Sequence, residues 1–345
     1  MAVGPDPDAY HRVVERGLTY LVEKGQAPDG SFSSQAGIGP TGLALTAMLR
    51  NGRSVDDPAV QRGLKWLLEH VQEDGGIYSD GSLYKNYETS IALMCLAEAN
   101  RDGRYEKVIR DAERFVKGIQ WDEDEGKTIA DREYGGAGYG SHKRPDLSNT
   151  SFLIDALRAC GNGPDDPAIQ KALIFVSRCQ NLETEHNTTP FASKNPDGGF
   201  YYTCAGEGES KAGTTPNGGL RSYASMTYAG LKSMIYAGVS KDDPRVKAAT
   251  DWIRKFYDLS SNPGMGLQGL YYYYHVFAKT MAALGEDEFV DAQGNKHDWR
   301  RELFDVLAEK QQPDGSWVNE ESRWLEGDPN LVTSYALLAL SYLKP

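Results

Sequence analysis

The chain lacks most of the features that would give it an immediate class. No apolar run approaches the ~18 residues of a membrane-spanning helix. The start, Met1-Ala2-Val3-Gly4-Pro5-Asp6, has neither a basic region nor an apolar core, so no secretory leader is read and a soluble protein of unassigned compartment is expected. Positive charge is scarce: 37 Lys and Arg face 49 Asp and Glu, a net charge of -12 that disfavours nucleic acid and anionic membranes as partners. There are only 4 cysteines, none in a CxxC pair, so no disulfide framework is expected; Cys95 and Cys160 sit in apolar helical runs and read as buried thiols. No GxSxG, Walker A, HExxH or EF-hand pattern occurs, and Gly135-Gly136-Ala137-Gly138 follows no strand.

What is present is a repeat. Gln311-Gln312-Pro313-Asp314-Gly315-Ser316-Trp317 has the skeleton Gln, three residues, Gly, one residue, aromatic. The skeleton recurs at Gln26 to Phe32 and at Gln72 to Tyr78. Around each copy an amphipathic helix precedes and a small-residue apolar helix follows, and such alternation takes priority over any other reading. Six pairs of this kind fill the 345 residues. The amphipathic members are expected near 7–24, 58–71, 104–119, 167–179, 244–257 and 298–310. Their apolar partners are expected near 41–49, 88–100, 148–160, 222–237, 269–284 and 330–343. Helices apolar on most sides belong inside and amphipathic ones outside. The prediction is therefore all-α, an (α/α)6 toroid of six helical hairpins, as one domain over 1–345 with loop insertions at about 120–147 and 181–221.

Asp56-Asp57-Pro58, Asp165-Asp166-Pro167 and Asp242-Asp243-Pro244 each open an outer helix. Taken singly they look like catalytic acid pairs. Their recurrence at one structural place makes them helix caps, since an acid followed by Pro suits a helix N-terminus. Asp122-Glu123-Asp124-Glu125 reads as a solvated charge run. Thr41, Ser148 and Asn149 read as N-caps of inner helices.

The Gln-x3-Gly-x-aromatic repeats resemble the QW motifs of squalene and oxidosqualene cyclases, and the six hairpins resemble the α/α toroid those cyclases share with protein prenyltransferase β subunits. The resemblance implies parallel inner helices around a central funnel that takes an isoprenoid or other apolar small molecule. Inner-helix N-termini would converge on one rim, whose partial positive charge suits an anionic group. The residues placed there as ligand-binding are Tyr87, Glu88, Asn149, Arg221, Tyr272, Tyr274, Trp324 and Tyr335. Catalytic candidates are His275 as an acid/base, Tyr223, and Asp146. Tyr223 is more often wall packing than a catalyst.

Both catalytic signatures of the resembling families are degraded. The cyclase DxDD acid motif is matched only by Asp146-Leu147-Ser148-Asn149, with serine at the proton-donor position. The prenyltransferase zinc set needs Asp, Cys and His. His275 matches the histidine, but Leu220-Arg221-Ser222-Tyr223-Ala224-Ser225 stands where Asp-x-Cys belongs, so no metal or cofactor is assigned unless Cys204 folds over the rim. Two alternatives stay open: a non-catalytic toroid holding a peptide or protein partner through 181–221, and a carbohydrate-active lyase- or hydrolase-like toroid built on Arg221, Tyr223, His275, Glu88 and Trp324.

Overall fold

A computed structural model describes residues 4–140 and 144–345. Met1 to Val3, at the start of the segment read for a leader, lie outside the described residues. Among the described residues twelve α-helices alternate between two rings: α1 (Pro7–Tyr20), α2 (Gly39–Arg50), α3 (Pro58–Leu68), α4 (Lys85–Ala99), α5 (Glu106–Gly118), α6 (Leu147–Ala159), α7 (Pro167–Arg178), α8 (Ala224–Tyr236), α9 (Pro244–Lys255), α10 (Leu270–Leu284), α11 (Trp299–Lys310) and α12 (Pro329–Leu340). Each even-numbered helix packs against the next, and α12 packs against α2, so the inner ring closes. The protein is an all-α toroid. A short hairpin, β1 (Phe289–Val290) with β2 (Lys296–His297), sits before α11. No helix among the described residues is long and apolar enough to cross a membrane.

The acid–Pro signals do cap the outer helices. The carboxylate of Asp57 accepts from Ala59 N, Asp166 from Ala168 N and Ile169 N, and Asp243 from Arg245 N. Asp6 and Asp328 do the same at α1 and α12.

The corners between an outer helix and the following inner one share a construction. The Gln26 amide donates to Gly30 O at 3.0 Å and to Ala59 O on the next outer helix at 2.8 Å. Gln120 pairs likewise with Gly135 O and Ala168 O, Gln180 with Gly198 O and Arg245 O, and Gln311 with Gly315 O and Val13 O. Two residues beyond each glycine, a main-chain N–H donates to an inner-helix threonine: Phe32 to Thr41, Ala137 to Thr150, Phe200 to Thr227 and Trp317 to Thr333. The glycines have positive φ, and a Cβ on Gly30 or Gly198 would meet a main-chain carbonyl of the neighbouring outer helix at 2.5 or 2.7 Å. Only glycine fits there.

Three sequence readings need correction. The copy at Gln72 is one residue out of register: its close-approach glycine is Gly75, the threonine bond runs from Ile77 to Thr89, and Val71 occupies the glutamine's place. The in-register glutamines missed by spacing are Gln120 and Gln180, because long insertions separate them from Gly135 and Gly198. Thr41 is not an N-cap; α2 begins at Gly39 and the Thr41 hydroxyl serves the corner. The acidic run is only partly solvated, since Asp122 is buried and, with Glu123, pairs with Lys171 of α7.

Candidate functional site

At the N-terminal end of the inner helices the ring opens into a cavity of about 910 Å³. Successive lumen-facing positions on each inner helix, three or four residues apart, stack in layers down it. Ser148 and Phe152 of α6 and Tyr272 of α10 line it, and Asp155, His275 and Lys279 continue the same rows below the lining. The upper layers are aromatic. Tyr87 meets Phe152 edge-on at 5.4 Å, Phe152 lies 6.3 Å from Tyr272, and Tyr272 lies 5.9 Å from Tyr335. The Tyr87 and Tyr335 hydroxyls face one another and close the girdle. Burial raises both hydroxyls, Tyr87 to about 12, so they stay neutral. Tyr139 and Tyr202 extend the wall outward, and Leu83, Tyr84, Trp324 and Leu325 stand at the mouth.

The structure brings six of the expected residues to this cavity: Tyr87, Glu88, Tyr223, Tyr272, Trp324 and Tyr335. Tyr274 points away, its hydroxyl donating to Leu259 O at 2.7 Å. Arg221 lies in an exposed hairpin of the insertion, donating to Thr214 O. Asp146 and Asn149 are buried behind the wall. Asp146 is the N-cap of α6, accepting from Asn149 N at 2.9 Å and from the Asn149 amide at 2.8 Å, so neither Ser148 nor Asn149 takes the capping place expected of it. Ser148 instead faces the lumen, its hydroxyl 3.1 Å from that of Tyr272. Burial pushes the Asp146 carboxyl up to about 6, against the lowering effect of Asn149 and the adjacent Tyr202 hydroxyl. His275 sits one layer below the girdle, stacked on Tyr335 at 5.9 Å. Cys204 is buried, donating to Arg132 O beside Cys179, and does not reach His275. His275 therefore has no Asp or Cys beside it of the kind the zinc set requires, and among the described residues no His, Cys, Asp and Glu cluster could hold a metal.

The rim is not the anion site that six helix N-termini suggest. Acids already occupy it. Glu326 accepts from the main-chain N–H groups of Tyr271 and Tyr272 at the start of α10, Asp328 caps α12, and Glu88 accepts from Ile38 N and Ser79 N. Burial raises the Glu326 carboxyl. Segment 181–221 is built into the wall rather than standing free. Leu147 N donates to Tyr202 O, Thr203 donates to Pro145 O, and Tyr202 and Lys211 line the cavity.

Sequence reading missed the lowest layer. Asp155 Oδ2 pairs with Lys232 at 2.6 Å and Lys279 at 2.7 Å, and Lys232 also donates to Ser151. The signal was there: one charge inside each of three otherwise apolar helices, Phe152-Leu153-Ile154-Asp155-Ala156, Gly230-Leu231-Lys232-Ser233-Met234 and Phe277-Ala278-Lys279-Thr280-Met281. A lone charge in a helix buried all round needs a buried partner. Against burial, which alone would raise it, the two ammonium groups hold Asp155 at about 2; burial lowers Lys232 to about 8.

With this geometry in hand, comparison with known proteins is direct. The family model of the squalene-hopene cyclase C-terminal domain matches residues 41–205. Over that span the chain is squalene-cyclase-like. Solved structures of similar fold include a family 76 glycoside hydrolase from a bovine Bacteroides thetaiotaomicron strain (TM-score 0.58, 11% identity, covering 96% of this chain and 77% of that one). A polysaccharide lyase superposes with TM-score 0.57 at 10% identity over 97% of both chains. A protein from Actinoplanes gives 0.56 at 15% identity, over 97% of this chain and 100% of that one. At such identities these three share a fold and nothing further follows from them. No curated protein matches.

Proposed function

We propose that the chain acts as one toroid that binds an apolar, isoprenoid-type molecule in its funnel, and that it does not start cyclisation with the acid the cyclases use. The observation that carries this reading is the girdle of Tyr87, Phe152, Tyr272 and Tyr335 around the cavity of about 910 Å³, with Ser148 facing the lumen. That volume is of the size that encloses a small organic ligand. Neutral aromatic faces suit an apolar chain, and tyrosine edges leave only a few polar contacts to orient it. The glutamine–glycine corners are, in this reading, QW-type repeats whose work is structural.

Native mass spectrometry of the purified protein with farnesol and with squalene tests this. One bound molecule per chain is expected, lost in Tyr272→Ala and Tyr335→Ala while circular dichroism stays unchanged. A protein that takes up neither compound refutes the reading. A carbohydrate is the second reading, favoured by the exposed platforms of Trp324 and Tyr84 at the mouth (43% and 47% exposed). Oligosaccharide binding that Trp324→Ala abolishes would select it.

A further inference from the structure

The polarity of the lumen runs opposite to the one expected from helix ends alone. Acids hold the rim, and cations gather at the other end. Lys232, Lys279 and Arg50 face Asp155 and Glu98 there; Arg50 pairs with Glu98 at 3.0 Å and donates to the Tyr342 hydroxyl at 2.9 Å. By formal charge, pairing leaves a surplus of one positive charge, which burial opposes by lowering both lysines. The macrodipoles of the converging helix C-termini do not account for it, because that effect fades beyond the last turn. Lys279 lies five residues before the end of α10, and Lys232 four before the end of α8.

A second observation is independent of charge. His275, only 7% exposed, has no hydrogen-bond partner at Nδ1 among the described residues. A buried polar atom without a partner is costly unless something completes it. The His275 ring lies directly under the girdle, against Tyr335, and His275, Lys279 and Asp155 keep 6–7% of their surface accessible.

We propose that the funnel's ligand is amphipathic, with a monoanionic carboxylate head held on the floor by Lys279, Lys232 and His275 and its apolar tail in the aromatic girdle. The inference rests on the apolar-ligand reading and adds the head group to it. One surplus charge matches a carboxylate; a diphosphate would bring excess negative charge beside Asp155. The Lys279 ammonium, which now donates to Asp155 alone, has protons left for one carboxylate oxygen, and the His275 Nδ1–H tautomer donates to the other. Burial and the neighbouring charges of Lys279, Lys232 and Arg50 hold His275 neutral, so a bound anion is also what would let its ring take a proton.

The experiment is calorimetric titration of the intact protein at pH 7.5 with farnesoic acid and farnesol, which share the tail and differ in the head. The acid should bind about tenfold tighter or more. Lys279→Met keeps the Lys232–Asp155 pair, so the variant should fold; it should erase the acid's advantage and leave farnesol unchanged. His275→Leu, which disturbs no charge pair, should reduce that advantage severalfold. Equal binding of the two compounds, or a preference for farnesol, overturns the floor site and leaves the funnel reading standing. So does an acid preference that survives both substitutions. If neither compound binds, the funnel reading falls and the head-group site with it.

Discussion

Asp146 offers a test of the site's electrostatics that needs no ligand. Its carboxyl is buried and raised from 3.8 to about 6. The folded protein therefore binds more protons than the unfolded chain between those values, so this group's contribution is fully present below about pH 4 and lost as pH rises through 6. A shift of about two units corresponds to ~3 kcal/mol against the folded state at pH 7.5, of which ~1 remains at pH 4.5. Asp146→Asn removes the titration while keeping an oxygen that can accept from Asn149 N as the α6 cap. The variant should gain about 2 kcal/mol relative to the parent between pH 4.5 and 7.5. Its absolute stability at either pH also contains the lost charged hydrogen bonds, so the pH-dependent difference is the quantity to read. Urea unfolding of both proteins at several pH values measures it, with other titrating groups cancelling between the two. A difference flat in pH, or one that falls as pH rises, refutes the argument and would mean that the Asn149 and Tyr202 contacts outweigh burial.

Two further outcomes follow from the packing. Gly135→Ala forces a side chain into positive φ and onto the Lys171 carbonyl, and should cost about 3 kcal/mol, against about 1 for Gly103→Ala, where nothing lies near; equal costs in denaturant melts would remove the corner argument. Asp155→Ala strands two buried ammonium groups and should cost about 3–5 kcal/mol, whereas the triple change Asp155→Ala, Lys232→Met, Lys279→Met should restore stability to near the parent, as read by thermal unfolding.

The helices were legible because each ring has its own hydrophobic pattern. An outer helix such as α5 buries one stripe, Ile109, Ala112 and Val116, and shows a helical period. An inner helix such as α4 is buried on nearly every side, so it has little periodicity and betrays itself by composition instead. That difference hid part of the site. Where every face is apolar, pattern does not say which face meets the lumen: the sequence places both Tyr272 and Tyr274 at the ligand, and only Tyr272 of the two lines the cavity. The corners were legible only where the chain is short. Gln26 and Gln311 lie four residues from their glycines, but Gln120 and Gln180 make the same bonds across insertions that spacing cannot bridge.

Register decides what the degraded acid motif means. In α6 the aspartate has the capping place and the serine has the lumen. The two roles lie two residues apart, so they point in different directions from the helix start. The carboxyl present there is one the fold needs, because it closes the α6 N-terminus through Asn149 N. The position that could have delivered a proton to a substrate carries a hydroxyl, shared with Tyr272. Charge has not left the lumen. It sits below the aromatic girdle, where Asp155 holds two lysines and leaves one of their charges unbalanced. In the reading proposed above, the tail occupies the aromatic layer and the anion the charged layer beneath it, and the start of α6 offers a serine hydroxyl to the lumen rather than an acid.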